Sequence, residues 1–94
     1  MTKEQRFASV WDAIETSPAE AANMKARSEL MVAIRKIVDD WKETQARSAK
    51  KLGLTQPRLN DLLHGRIDKF SLDALMNVAA RAGLSVHVKI RRAA

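Results

Sequence analysis

Apolar residues fall into blocks whose spacing changes along the chain. Phe7, Val10, Trp11 and Ile14 recur at i, i+3, i+4 and i+7, the stripe of a short amphipathic helix over residues 4–15. A longer helical pattern runs from Pro18 to about Trp41. Ser17 is its cap, Pro18 its first position, and Glu20 closes a capping box. Its inward face is Met24, Met31, Ile34, Val38 and Trp41, flanked by Leu30 and Ile37. The pattern fits one helix or two with a bend near Arg27-Ser28. Two short helices follow over residues 45–52 and 56–64, joined by Gly53-Leu54-Thr55. Gly53 falls where a helix must end in a left-handed residue, which glycine adopts without strain. Thr55 can cap the next helix, and Pro57 lies in its first turn, where a missing N–H costs little.

Beyond a polar loop, Arg66-Ile67-Asp68-Lys69, Ser71 caps a helix over residues 72–82 that Gly83 ends. Asp73 suits its first turn, and Leu72, Leu75, Val78, Ala79 and Ala82 form its apolar face. After Leu84 the period changes to two. Val86, Val88 and Ile90 alternate with Ser85, His87, Lys89 and Arg91, which reads as a strand. A lone strand leaves its backbone groups unpaired. It is therefore expected to pair with another chain, most simply its own copy, with Val86, Val88 and Ile90 as dimerisation residues.

Length and charge narrow the picture. Ninety-four residues make one domain with a modest core. The absence of cysteine excludes disulfides and thiolate metal sites and is compatible with a cytoplasmic protein. No signal-peptide core and no membrane span is legible. Net charge is +6 and unevenly placed. Residues 1–43 carry seven Lys/Arg against eight Asp/Glu, and residues 44–94 ten against three. The positive surplus lies wholly in the second half. Alone, such a surface fits solubility as well as nucleic-acid binding.

The stretch from Thr44 to Gly65 decides between these. Leu52, Leu54, Leu59, Leu62 and Leu63 supply its buried faces, and small Ala49 lets its two helices cross closely. What remains on the second helix is Gln56, Pro57, Asn60, Asp61 and His64. Positions 56, 60 and 64 share one stripe, with 57 and 61 beside it. These side chains suit base edges in a major groove. Gln56 and Asn60 can grip adenine, Pro57 can meet a thymine methyl, and Asp61 can accept from a cytosine amino group. Asp61 can equally pair with Arg58. Thr44, Gln45, Arg47, Lys50, Thr55, Arg58, Arg66 and Lys69, at helix starts or on basic flanks, are the phosphate candidates.

The pattern Gln45-Ala46, Ala49, Leu52-Gly53-Leu54-Thr55-Gln56 and Leu59 resembles the Cro/C1-type (XRE) helix-turn-helix. From Phe7 to Val88 the chain is similar to small XRE proteins that include HigA-like antitoxins. Glu43 departs from the family pattern, which has an apolar residue there; Ser48 departs more mildly, where alanine or a larger apolar residue is usual. The resemblance implies an all-α, five-helix, lambda repressor-like DNA-binding domain, here with an N-terminal helical extension and a C-terminal β-strand. Its parts are an extension over residues 1–23, a DNA-binding domain over 24–83 with the motif at 44–65, and a dimerisation strand over 84–94. It further implies a sequence-specific transcriptional regulator acting as a homodimer on an inverted-repeat operator in double-stranded DNA. As a type II antitoxin it would neutralise a RelE/HigB-like ribonuclease toxin and repress its own operon. A stand-alone XRE-type repressor, and an adaptor using the helix-turn-helix as a scaffold, are the alternatives.

Enzyme chemistry finds no foothold. His64 and His87 are far apart and lack metal-ligand spacing, and Asp39-Asp40 diverge on a helix. No catalytic residue, metal or cofactor is expected. Residues 4–23 are the segment expected to contact a toxin; otherwise Phe7, Val10, Trp11 and Ile14 cover the domain's own core.

Overall fold

The computed structural model describes residues 17–92. Residues 1–16, which carry the expected helix over 4–15, and residues 93–94 lie outside the described residues. The described residues form four α-helices: α1 (Pro18–Trp41), α2 (Gln45–Leu52), α3 (Gln56–Leu63) and α4 (Leu72–Arg81). One 3₁₀ turn, Ile67–Lys69, separates α3 from α4 where the sequence reads as a plain polar loop.

The long pattern resolves to one helix without a break at Arg27-Ser28. The Ser17 hydroxyl accepts from the Glu20 N–H at 3.4 Å, as its capping role requires. Lys42 ends α1 in the left-handed region at φ 51°, which costs a side-chain-bearing residue about 1–2 kcal/mol. The charged corner beyond it is tied down. Lys51 Nζ sits 4.4 Å from the Trp41 ring centroid and 2.8 Å from Glu43 Oε2. The latter is an ion contact rather than an aligned hydrogen bond. It accounts for Glu43: an acid at a normally apolar position is answered by a cation one helix away.

Two expectations of the fold are corrected. The described residues hold four α-helices, not five, and no strand. Residues 84–92 run on without any ladder. Period-two alternation makes a segment able to pair, but pairing needs a second backbone, and the described residues supply none. Val88 and Ile90 are left 72% and 91% exposed.

The core draws on all four α-helices and on the loop before α4. Ile34 of α1, Leu52 of α2, Leu59 and Leu62 of α3, Leu75 of α4 and Phe70 of the loop are each at most 2% exposed. α1 packs most extensively on α4 and also meets α3. Its inner face is Leu30, Met31, Ile34 and Val38, so Leu30 is central rather than flanking and Met24 is only half-buried.

Ser48, the second departure from the family pattern, is 1% exposed, and its hydroxyl finds no partner. A buried unsatisfied hydroxyl costs about 1–3 kcal/mol. Ser48→Ala is therefore expected to leave the urea midpoint unchanged or raise stability by about 1 kcal/mol. A loss of that size would show that the hydroxyl is bonded after all.

Candidate nucleic-acid interface

The two-helix unit is built around three consecutive residues. Gly53 has φ 70°, and its N–H donates to the Lys50 carbonyl while the Leu54 N–H donates to Ala49 O at 2.8 Å. This pair of bonds closes α2 in the left-handed motif that glycine favours. A Cβ on Gly53 would also lie 2.8 Å from Arg81 Nε. Leu54 then turns inward against the core, and the Thr55 hydroxyl accepts from the Arg58 N–H at 3.3 Å to start α3. Thr44 does the same for α2, accepting from Arg47 N–H at 3.2 Å. Both hydroxyls keep their O–H proton to give, beside helix N-termini that favour anions.

The expected base readers all lie on α3 or its cap. Gln56, Pro57 and His64 are exposed, and Asn60 and Asp61 are half-buried. His64 Nδ1 lies 2.8 Å from the Asn60 carbonyl, so that nitrogen must be the donor and Nε2 remains free. Asp61 pairs with Arg66 and not with Arg58. Its Oδ1 receives Arg66 Nη1 at 2.7 Å. The reason is the turn after α3: Gly65 at φ 69° lets the Arg66 N–H return to the Asp61 carbonyl at 3.0 Å. That turn carries the Arg66 side chain back over the helix it has just left.

The phosphate candidates divide. Gln45, Arg47 and Lys50 on α2 and Lys69 on the 3₁₀ turn are exposed and make no side-chain bond among the described residues. Arg66 is engaged with Asp61. Arg58 is committed to the fold: Nη1 donates to the Lys69 carbonyl at 2.7 Å, and its guanidinium carbon stands 4.2 Å from the Phe70 ring centroid. Nothing in the sequence pattern marks this clasp, because its partners are eleven and twelve residues away across a loop. Arg27, which sequence reasoning also passed over, holds the same loop from α1. Its Nη1 donates to Ile67 O at 2.9 Å and Phe70 O at 3.3 Å. Val86, Val88 and Ile90 take no part here; they lie on the tail beyond α4.

Two helices of eight residues each, joined by a tight turn, with α2 packed on α4 and α3 on α1, define a helix-turn-helix protein. The chain belongs to the helix-turn-helix domain family, whose model matches residues 13–91. It is also similar to a solved structure named as a candidate XRE family transcriptional regulator, at 26% identity and TM-score 0.71, covering 79% of this chain and 83% of that one. No curated protein matches. With the motif residues above, these likenesses make it an XRE-type helix-turn-helix protein.

Arg58 is expected to behave as a structural residue. Arg58→Ala should lower stability by about 1.5–3 kcal/mol, the worth of a hydrogen bond from a charged donor together with its ring contact, in urea denaturation. Lys50→Ala should change it by less than about 0.5 kcal/mol. Equal effects would remove Arg58 from the fold's supports.

Proposed function

We propose that this chain is a sequence-specific, dimeric DNA-binding transcriptional regulator and not an enzyme. The observation that carries the reading is the composition of the α3 surface. Once Leu59, Leu62, Leu63 and Arg58 are turned inward, its outward side chains are Gln56, Pro57, Asn60 and His64, neutral groups with donors, acceptors and an apolar ring. Arg47, Lys50 and Lys69 flank them without ion-pair partners among the described residues. Neutral readers between cations are what base readout needs, because phosphates position the protein and base edges specify the site.

The finer reading rests on the likeness to small HigA-like antitoxins from Phe7 to Val88. In it the protein represses its own operon in the cytoplasm and neutralises a RelE/HigB-like toxin. A stand-alone repressor shares every feature of the DNA surface and differs only in lacking the toxin. Co-expression with such a toxin separates them: rescue of growth supports the antitoxin, and none removes it.

DNA binding has its own test. With three free cations near each motif, a dimer contacts about six phosphates, and the slope of log K against log salt should be about −5. On a duplex enriched from a random library, Gln56→Ala and Asn60→Ala should each cost about 1–3 kcal/mol and little on unrelated DNA. Lys50→Ala should weaken both alike. Operator affinity that survives the double Gln56/Asn60 change would overturn the assignment of α3.

Dimerisation is proposed to run through the tail. Val86, Val88 and Ile90 are exposed on a segment whose backbone groups have no partner among the described residues. A two-fold axis would supply the missing strand and set two α3 helices about 34 Å apart on an inverted repeat. Truncation after Ser85 spares Leu84, which packs against the core and whose N–H closes on Ala79 O at 3.0 Å. The shortened protein should sediment as a monomer at micromolar concentration and bind DNA weakly. A persisting dimer would place the interface in the helices.

A further inference from the structure

α3 ends at Leu63, and the chain leaves it through His64 and Gly65. Gly65 stands at φ 69°. Its N–H donates to the Leu62 carbonyl while the Arg66 N–H reaches back to the Asp61 carbonyl, both at 3.0 Å. That is the paired closure a left-handed residue permits at a helix end. The Arg66 side chain then returns to the same residue, Nη1 donating to Asp61 Oδ1 at 2.7 Å. Arg66 is thus fastened to Asp61 twice, by main chain and by side chain.

The place of Asp61 on α3 decides what this fastening does. At about 100° per residue, Asp61 stands about 40° around the helix from Pro57, about 60° from His64 and about 160° from buried Leu59. It therefore shares the outward surface with the neutral side chains. The Asp61 side chain is 20% exposed and that of Arg66 53%, so the guanidinium is the outer partner. One of its five N–H groups is spent on Asp61, and among the described residues no acceptor meets the other four.

We propose that Arg66 reads a guanine in each half-site and that Asp61 is its positioning residue, in place of a phosphate contact and a cytosine reader. The proposal rests on α3 being the recognition helix. Two arguments select guanine over phosphate. The charges of the pair cancel, so together they pull weakly on a polyanion, and a phosphate is better met by a lone cation such as Lys50. What the pair gains is orientation. Guanine presents O6 and N7 side by side in the major groove, and two parallel N–H groups meet both only when the guanidinium plane is held. An exposed ion pair adds little to stability, so its use lies in that orientation. Gln56, Pro57 and Asn60 suit adenine and a thymine methyl; Arg66 adds the planar pair of donors that none of them has.

The full chain and its Arg66→Ala, Arg66→Lys and Asp61→Asn variants should each be used to enrich duplexes from one random library. The wild-type pool should hold a guanine in each half-site whose preference vanishes with both Arg66 changes, while positions that depend on Gln56 and Asn60 keep theirs. Replacing that guanine by 7-deazaguanine, which lacks N7, should weaken wild-type binding about ten-fold and leave Arg66→Ala unaffected. Asp61→Asn removes a negative charge and should tighten binding to random DNA. It should nonetheless lower the ratio of operator to random affinity about five-fold or more, at an unchanged melting temperature. An Arg66→Ala protein that keeps every base preference, binds all duplexes more weakly alike and loses about two from the salt slope of a dimer would place Arg66 on phosphate. A cytosine preference lost with Asp61→Asn and kept with Arg66→Ala would make Asp61 the reader. Either result overturns the proposal and leaves α3 as the recognition helix. A wild-type pool without any enriched sequence overturns both.

Discussion

The reversal at Gly53 is the constraint on which the rest depends. A helix that must stop, turn and restart within three residues has few ways to satisfy its end. Here the Gly53 and Leu54 N–H groups close on Lys50 and Ala49, and the next side-chain hydroxyl, Thr55, opens α3. Leu54 is anchored in the core by the same geometry. The angle between α2 and α3 is thereby set by backbone hydrogen bonds and one half-buried leucine rather than by long side chains. In the proposed function, a reading helix held this way loses little conformational entropy on meeting its target, because the ordering cost was met in folding.

The opposite end of α3 is held by different means. Phe70 is 2% exposed and follows the 3₁₀ turn, its N–H closing on the Ile67 carbonyl at 3.3 Å. Arg58 covers its ring and bonds the Lys69 carbonyl, while Arg27 reaches over from α1 to the Ile67 and Phe70 carbonyls. Two arginines therefore act as bridges inside the protein. A planar guanidinium can stack and donate at once, which lysine cannot do. The consequence reaches the surface, since the loop so fixed is the one that carries Lys69 beside α3.

Features governed by local rules were legible in the sequence. Helix starts at Ser17, Thr44, Thr55 and Ser71 each accept the expected backbone N–H, and helix ends fall at or within a residue or two of the expected places. Periodicity placed the core-facing leucines of α3 and the apolar face of α4. The side chains of the candidate interface were identifiable by subtraction, since burying Leu59 and Leu62 leaves few others to face out. Partnerships across loops stayed hidden. Asp61 with Arg66, Arg58 with Phe70 and Lys51 with Trp41 depend on where the chain returns after a turn, and spacing along a helix says nothing of that. The tail is the reverse case. Its alternation is plain, but alternation states a capacity for pairing, and the capacity is unfilled among the described residues.

The basic surplus looks different once these partnerships are known. Residues 44–94 hold ten Lys/Arg, yet Lys51, Arg58 and Arg66 answer groups of the protein itself. The charges that remain near the motif are fewer than composition suggests and sit on two elements, α2 and the 3₁₀ turn, on either side of α3 in the chain. Charge in that arrangement can bring a polyanion to the surface but cannot tell one sequence from another. In the proposed function discrimination falls to α3, whose arginine is turned onto the Lys69 carbonyl and the Phe70 ring and whose aspartate is paired with Arg66. Attraction and recognition in that reading fall to different elements of the same small unit; the turn at Gly53 fixes α2 against α3, and the Arg58 and Arg27 clasps fix the loop that carries Lys69.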